Sequence, residues 1–498
     1  LLSLLSADSI AQSFPLCKME LRLRIARTPA LCYTLLYVHI KRGRAAMQPL
    51  QREKLFANHE LLTLLWPLII EQTLSVLVGM ADTVMVSSVG EAAISGVSLV
   101  DMINQLIITV FAALATGGAV VTSQYLGAKK PEQAARSAGQ LVGLSALLGL
   151  AVAAFCLLTR RPMLRLLFGA ITDDVMDAAV IYFTITALSF PFLALYNAGA
   201  AIFRSTSNSA VSMKVSVIVN AINFGGNAIC IYLLGMGVEG VAIPTLISRA
   251  VGAFIILALA AQREYVLHIP PRSVTPLERG TVQRILRIGI PSACENSLFQ
   301  LGRVLVVSMI SLFGTVHISA NAVANNLDAV GAIIGQAMGL AIITVVGRCV
   351  GAQDMQQVVY YTKKLMLWDY IAQGIANAAV ILSLGVVLNM YTLSPETRSL
   401  AAELVIIHCA MGILIWPAAF VLPNALRAAN DVKFTMVASV VSMLVWRLAF
   451  SWILCVNMGW GAVGVWWAMV IDWVCRSICF VGRFVSGVWK KKAVKIPN

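Results

Sequence analysis

Charge is scarce in this chain. Of its 498 residues only 12% are Asp, Glu, Lys or Arg, about half the 25% of an ordinary soluble domain. Apolar residues make up 59%, and mean hydropathy is +0.84. A soluble chain of this length could not cover so much apolar surface. No Gly-rich loop ending in Lys-Ser or Lys-Thr occurs, which argues against an ATP-driven pump. No Ser-His-Asp set or carboxylate pair is arranged for catalysis, so an enzyme is not expected. The ten cysteines form no C-x-x-C pair. Cys475 and Cys479 share a helical face, but a metal site needs further ligands nearby; they read as small buried residues, and no metal or other cofactor is expected. Nor is there a basic patch on a separable domain, which removes nucleic acid as a partner.

What the chain does have is long apolar runs. A helix needs about 20 apolar residues to cross a bilayer. Twelve segments qualify: 61–87, 96–123, 134–158, 178–203, 211–234, 239–262, 284–312, 322–347, 357–389, 399–426, 432–456 and 461–485. The chain also repeats itself at an offset of 224 residues, without a gap for about sixty positions. Pro67, Glu71, Leu74, Gly90, Gly127 and Gln133 recur as Pro291, Glu295, Leu298, Gly314, Gly351 and Gln357. Duplicated helix bundles are a common plan of secondary transporters. With six helices per half, both halves enter the bilayer from the same side. The expected fold is therefore an all-α polytopic membrane protein, with twelve transmembrane helices in two six-helix lobes. A pseudo-two-fold axis along the membrane normal relates the lobes.

The net charge of +14 is unevenly placed. Bases gather in alternate loops: Lys129, Lys130 and Arg136; Arg204 and Lys214; Arg263, Arg272, Arg279, Arg284 and Arg287; Arg348, Lys363 and Lys364; Arg427 and Lys433; and the tail from Arg483 to Lys495. Basic loops stay cytoplasmic, which puts both termini inside an inner (plasma) membrane protein and anionic lipid at its cytoplasmic face. Arg160, Arg161 and Arg165 dissent, on the expected outer side. Residues 47–262 form the N-lobe, 263–283 a cytoplasmic linker, and 284–498 the C-lobe with its basic tail. Residues 1–46 fit neither lobe. A cleaved signal peptide is one reading, but no apolar stretch there leads to a small-residue cleavage site. An overextended reading frame with its start at Met47 is the favoured one.

Ionisable side chains within the spans carry the functional signal, because each costs about 2.5–3.5 kcal/mol at a helix centre on insertion scales. Those expected within the bilayer are Glu71, Asp82, Arg249, Glu295, Arg303, Glu403, His408, Arg447, Asp472 and Arg476. Asp101, Asp328 and Asp369 read as interfacial. Asp82 stands apart, because its repeat partner is the apolar Val306 and symmetric fold maintenance does not account for it. Helix 5 of the same half stacks Asn220, Asn223 and Asn227 on one face. Helix 6 follows with Pro244, whose missing N–H could open the helix, and Thr245. A carboxylate, amide oxygens and a hydroxyl could cage a monovalent cation, or surround a titrating carboxyl; for each Asn, bridging between helices is the competing role. Asp472 and Arg476, four apart, read as a structural ion pair that Arg447 could join. Arg204 and Arg427 read as cytoplasmic anchors.

These residues carry a resemblance. Pro67 with Gly79 to Thr83, Gly117-Gly118 through Gln124 to Ala128, Asn223 to Thr245, Gly289-Ile290-Pro291, and Gly461 to Trp466 with Asp472 and Arg476 resemble the multidrug and toxic compound extrusion family over residues 50–490. The resemblance implies two lobes forming a V that export amphipathic, often cationic compounds against inward H+ or Na+. In members with an N-lobe cation site, the matching coupling residues are Asp82, Asn223, Asn227 and Thr245. The position of Asn227 is often Asp, which leaves the ion open. Another branch carries a helix 7 Glu at the place of Phe299, so Glu295 and its copy Glu71 are secondary candidates. Asn197 and Asn220 could line the N-lobe cavity.

Cation-coupled antiport of small organic cations or amphipathic drugs, by a monomer, is the leading function. H+ is favoured slightly over Na+, since a proton needs only one buried acid. Two alternatives compete. One is a lipid or lipid-linked oligosaccharide flippase of the same superfamily, which should line its cavity with several arginines; only Arg249 and Arg303 look well placed. The other is a major-facilitator protein, whose basic signature is missing from the loop at Lys129 and Lys130.

Overall fold

The computed structural model describes residues 53–493 apart from 170, 171, 266 and 392. The expectation for residues 1–46 lies outside the described residues. Every regular element among the described residues is helical, as hydrocarbon demands when it offers the backbone no hydrogen-bond partner. The N-lobe comprises α1 (Asn58–Ser87), α2 (Glu91–Gly127), α3 (Pro131–Phe168), α4 (Asp173–Ser205), α5 (Ser209–Ala228) and α6 (Glu239–Ala260). The C-lobe comprises α7 (Arg279–Ser311), α8 (Thr315–Gly331), α9 (Ile333–Gly351), α10 (Met355–Asn389), α11 (Pro395–Trp416), α12 (Leu422–Ala428), α13 (Val432–Ser442) and α14 (Gly461–Val485).

Some crossings are composite. α8 and α9 meet at Ala332, and α11 passes into α12 through a π-helical turn at Pro417–Val421. α13 continues through π turns at Met443–Ala449 and Trp452–Asn457, and α5 through one at Ile229–Leu233. Among the described residues twelve crossings result, of which ten are long and apolar enough on their own to span a membrane. The two that fall short are α7, interrupted by Glu295 and Arg303, and α14, interrupted by Asp472 and Arg476.

Boundaries shift in instructive places. α3 runs past the expected end at 158, so Arg160, Arg161 and Arg165 lie on its last turns. Arg161 meets Asp177 there at 3.1 Å on an exposed surface, a pair of little energetic weight. α6 stays helical through Pro244, so the helix does not open as expected. α7 begins at Arg279, taking the last residues of the expected linker into the helix. The rest of the linker is fastened to α3 mainly by Gln140, with an exposed Arg136–Glu278 pair at 3.8 Å beside it. Gln140 Nε2 donates to the carbonyls of Ser273 and Pro276 at 2.9 and 3.0 Å, and its Oε1 accepts the N–H of Glu278 at 2.6 Å.

The lobes pack reciprocally. α1 lies against α9 and α7 against α2, while α2 and α9 touch each other across the axis. At the end bearing the basic loops, one apolar core runs through both lobes, including Leu64, Leu68 and Val120 of the first and Ile342, Val346 and Val350 of the second. At the other end the core splits. Val100, Phe183 and Phe190 lead a separate N-lobe cluster, and Leu454, Trp460 and Ala468 a small C-lobe one. The molecule is a V joined at its basic end. The join admits no side chain at two glycines: a Cβ on Gly127 would meet the Arg348 carbonyl, and one on Gly351 the Gln124 carbonyl. Polar contacts add to it, with Thr344 Oγ1 donating to the Arg204 carbonyl at 3.1 Å and Arg348 Nε to that of Ser205 at 3.3 Å.

Candidate cation-coupling site

Asp82 sits near the free end of α1, half-buried, facing α5. Asn227 Nδ2 donates to Asp82 Oδ1 at 2.8 Å. The amide orientation of Asn223 that satisfies both its neighbours puts its nitrogen 3.2 Å from each Asp82 oxygen and its oxygen 3.0 Å from the Thr245 hydroxyl. Asn223 and Asn227, four apart on α5, therefore grip one carboxylate, and Thr245 of α6 backs the outer amide. Thr245 Oγ1 also reaches the Val241 carbonyl at 2.9 Å. Asn227 is fully buried, and its Oδ1 has no hydrogen-bond partner, so one oxygen beside the carboxylate is unused. The four expected residues thus converge from three helices.

The other two amides lie apart from this grip. Asn220 donates to Ser216 Oγ one turn back at 3.3 Å. Asn197 Nδ2 on α4 is buried without a partner.

A second acid belongs to the neighbourhood. Asp101, expected at the interface, lies well inside α2 and accepts from Asn104 at 3.0 Å and Tyr182 at 3.2 Å. Arg249, anchored on Ser189 Oγ at 2.7 Å, acts electrostatically on both Asp82 and Asp101. The sequence held a signal for this group. Offset by 224, Asp101 becomes Asn325 and Asn104 becomes Asp328: each lobe keeps one acid and one amide a turn apart, in exchanged order. Asp328 is likewise no interfacial residue, since its Oδ1 lies 2.8 Å from Nε2 of the buried His408. Asp369 of α10 is fully buried, with both carboxylate oxygens unpartnered. A window of apolar sequence places a residue along a helix but not on a face, which is why these three were misread.

The duplicated acids form duplicated pairs. Glu71 Oε1 lies 3.2 Å from Arg204 Nη1, and Glu295 Oε1 lies 2.6 Å from Arg427 Nη2. Ser212 adds a hydrogen bond to Glu71 at 3.0 Å, and Asn424 accepts one from Arg427 at 2.7 Å. Arg204 and Arg427 are thus internal partners of the two glutamates, and anchoring at the surface is not their role. Glu403 is exposed and joins no group among the described residues. Asp472 pairs with Arg476 at 2.9 Å and, more loosely, with Arg447 at 3.9 Å.

Within the C-lobe lies a cavity of about 480 Å³ between α7, α8, α11, α12, the π turn after α13, and α14. Arg303, Arg427, Arg447 and Arg476 line it, together with Phe299, Phe420, Trp416, Trp466 and Trp473. Of these, only Arg303 is expected at a cavity from the sequence; Arg447 lies on the π segment that continues α13.

Comparison with known proteins agrees with this architecture. The family model described as MatE matches twice, over residues 67–229 and 291–453, two stretches separated by the same 224-residue offset. The uncharacterized transporter YisQ of Bacillus subtilis is 28% identical over 445 residues, covering 87% of this chain and 95% of that protein. The probable multidrug resistance protein NorM of Thermotoga maritima is 24% identical, covering 87% and 94%. Among solved structures, the outward-facing conformation of a multidrug resistance MATE family transporter superposes with a TM-score of 0.81 at 22% identity, covering 87% of this chain and 96% of that one.

Proposed function

Because the chain belongs to the MatE family of multi-pass membrane transporters, we propose that it is a cation-coupled antiporter exporting amphipathic drugs and toxic organic compounds by alternating access, with Asp82 as its coupling acid. The observation that carries this is the grip of Asn227 and Asn223 on a carboxylate that only the N-lobe possesses. Charged, Asp82 is a strong acceptor that binds α1 to α5 through charge-assisted hydrogen bonds. Protonated, it loses most of that strength, and α1 is freer to move relative to α5. Proton uptake is thereby linked to a change in helix packing, which is the form a coupling mechanism needs.

The same geometry favours H+ over Na+. Asn227 spends its N–H on the carboxylate and leaves its oxygen unused. A Na+ on Asp82 would compete with the amide N–H that now donates to the carboxylate at 2.8 Å, whereas protonation displaces no ligand. The test is efflux from everted vesicles under separately imposed H+ and Na+ gradients. Drive by the H+ gradient, lost in Asp82→Asn with insertion intact, supports the reading. Transport indifferent to both gradients, or unchanged in Asp82→Asn, refutes it.

A lipid or lipid-linked oligosaccharide flippase is the second reading, favoured by the four arginines of the C-lobe cavity. Two of them are already engaged by Glu295 and Asp472, which places this reading second.

A further inference from the structure

Four arginines of the C-lobe cavity face two lining carboxylates, Glu295 and Asp328, with Asp472 behind the wall. The four are not equivalent. Arg427 is held by Glu295 and Arg476 by Asp472. Arg447 is only 8% exposed, yet its nearest carboxylate oxygen is 3.9 Å away and its Nε has no partner. Arg303 makes no hydrogen bond or ion pair with any described residue, and its charge acts on Arg447 and on Asp328. Asp328 is occupied by His408. A buried guanidinium with an idle donor, beside a second unpaired one, is costly unless something anionic completes it.

The cavity supplies the rest of a binding site. Phe299 is flanked by Arg447 at 5.0 Å and Arg476 at 5.4 Å from its ring centre, contacts that orient the guanidinium planes. Phe420 packs on Phe299, and Trp466 lies on the same wall. A volume of about 480 Å³ falls in the range of roughly 300–1,000 Å³ that holds a drug-sized molecule. Across the repeat the two lobes carry different chemistry at the same place. The positions of Ser75, Gly79 and Asp82 on α1 are filled on α7 by Phe299, Arg303 and Val306: one lobe keeps an acid, the other an aromatic and a base.

We propose that the C-lobe cavity binds an amphipathic organic anion, its carboxylate, sulfonate or phosphate head taken by Arg447 and Arg303 and its apolar body by the wall of Phe299, Phe420 and Trp466. This departs from the cationic cargo that the resemblance implies. As a statement about cargo it rests on the export reading; as a statement about binding it does not.

The experiment uses two probes of one shape and opposite charge, naphthalene-1-sulfonate and 1-naphthylmethylammonium. Both are titrated by tryptophan quenching into the full chain, held in nanodiscs of zwitterionic lipid without a gradient. Saturable binding of the sulfonate is expected, about tenfold or more tighter than the ammonium probe, as a charge-assisted bidentate contact allows. Arg447→Gln and, separately, Arg303→Gln should each weaken it about tenfold. Arg303 is exposed, so its variant reads out even where the buried one fails to fold. Arg161→Gln removes the same charge from an exposed surface and should leave binding within about twofold. Adding an anionic phospholipid separates the sources: competition with the sulfonate identifies a lipid headgroup as the natural anion, and its absence a soluble one. Preference for the ammonium probe, or equal binding in Arg303→Gln, overturns the proposal. Sulfonate binding in a protein that shows no gradient-driven efflux would sink the antiporter reading and leave this one standing. Efflux of a cationic dye without sulfonate binding would do the reverse.

Discussion

Gly127 and Gly351 occupy the same place in the two halves and fill each other's side of the join, where each has a backbone carbonyl of the opposite lobe in the space its Cβ would need. The contact repeats under the pseudo-two-fold, with Gln124 and Arg348 supplying the carbonyls at matching positions. Closure of the V at its basic end depends on these two residues having no side chain.

Gly127→Val should therefore wedge this end apart, since backbone cannot yield as a flexible side chain can. The population closed at the basic end should fall, read as lengthened spin-label distances across the join, and gradient-driven efflux should fall with it. Unchanged distances in the variant would show that the join has slack.

Asp82→Asn keeps the shape of the side chain and removes its charge and titration. Insertion should be normal and coupled efflux lost. Glu295→Gln should be the milder change, because its carboxylate serves a pair with Arg427 that the other lobe duplicates. Full activity in Asp82→Asn together with loss in Glu295→Gln would move coupling to the C-lobe.

At fixed pH, varying Na+ on either side should leave efflux nearly flat, whereas varying pH at fixed Na+ should not. Thr245→Ala and Asn227→Ala should weaken transport while preserving its pH dependence, because a proton still has Asp82 to bind. A steep, saturable Na+ response that vanishes in Thr245→Ala would assign the site to sodium.

Arg204→Ala leaves Glu71 buried with a single hydrogen bond from Ser212. A loss of about 3 kcal/mol in stability is expected from removing one partner of a buried pair. Glu71→Gln combined with Arg204→Ala should cost less than the sum of the two single changes. Additive losses in thermal unfolding would show that the two side chains do not act as a pair.

Asp369→Leu should raise the melting temperature. Both carboxylate oxygens lack partners in a fully buried setting, and an apolar side chain of similar size removes a polar group that burial penalises. A lower melting temperature would reveal a partner for this acid.

Much of the fold was legible in the sequence, because hydrocarbon forces a nearly one-to-one reading from apolar run to helix and the repeat fixes how the halves correspond. That Asp82, Asn223, Asn227 and Thr245 meet was legible too, since helical spacing stacks the two amides on one face and Asp82 breaks the repeat, whereas Asn220 and Asn197 do not join them. What escaped was rotation about a helix axis. Asp101, Asp328 and Asp369 were placed by distance from a helix end, while their partners are set by the face they present. Arg447 was legible as a partner of Asp472 but not as part of the cavity wall, because it lies on a π segment whose faces α-helical spacing does not describe. The long α3 was missed because Arg160, Arg161 and Arg165 sit at its end, where lysine and arginine can extend along the helix to reach water.

Gln140 holds the strap between the lobes by three hydrogen bonds, and all three tie it to the N-lobe. A connector glued along one arm is no slack tether. Its last bond falls on Glu278, the residue before α7 begins at Arg279, so almost no free chain is left between the strap and the second arm. A displacement of the N-lobe end of the strap is then passed straight to the start of α7, with little of it lost to stretching of the chain between the arms.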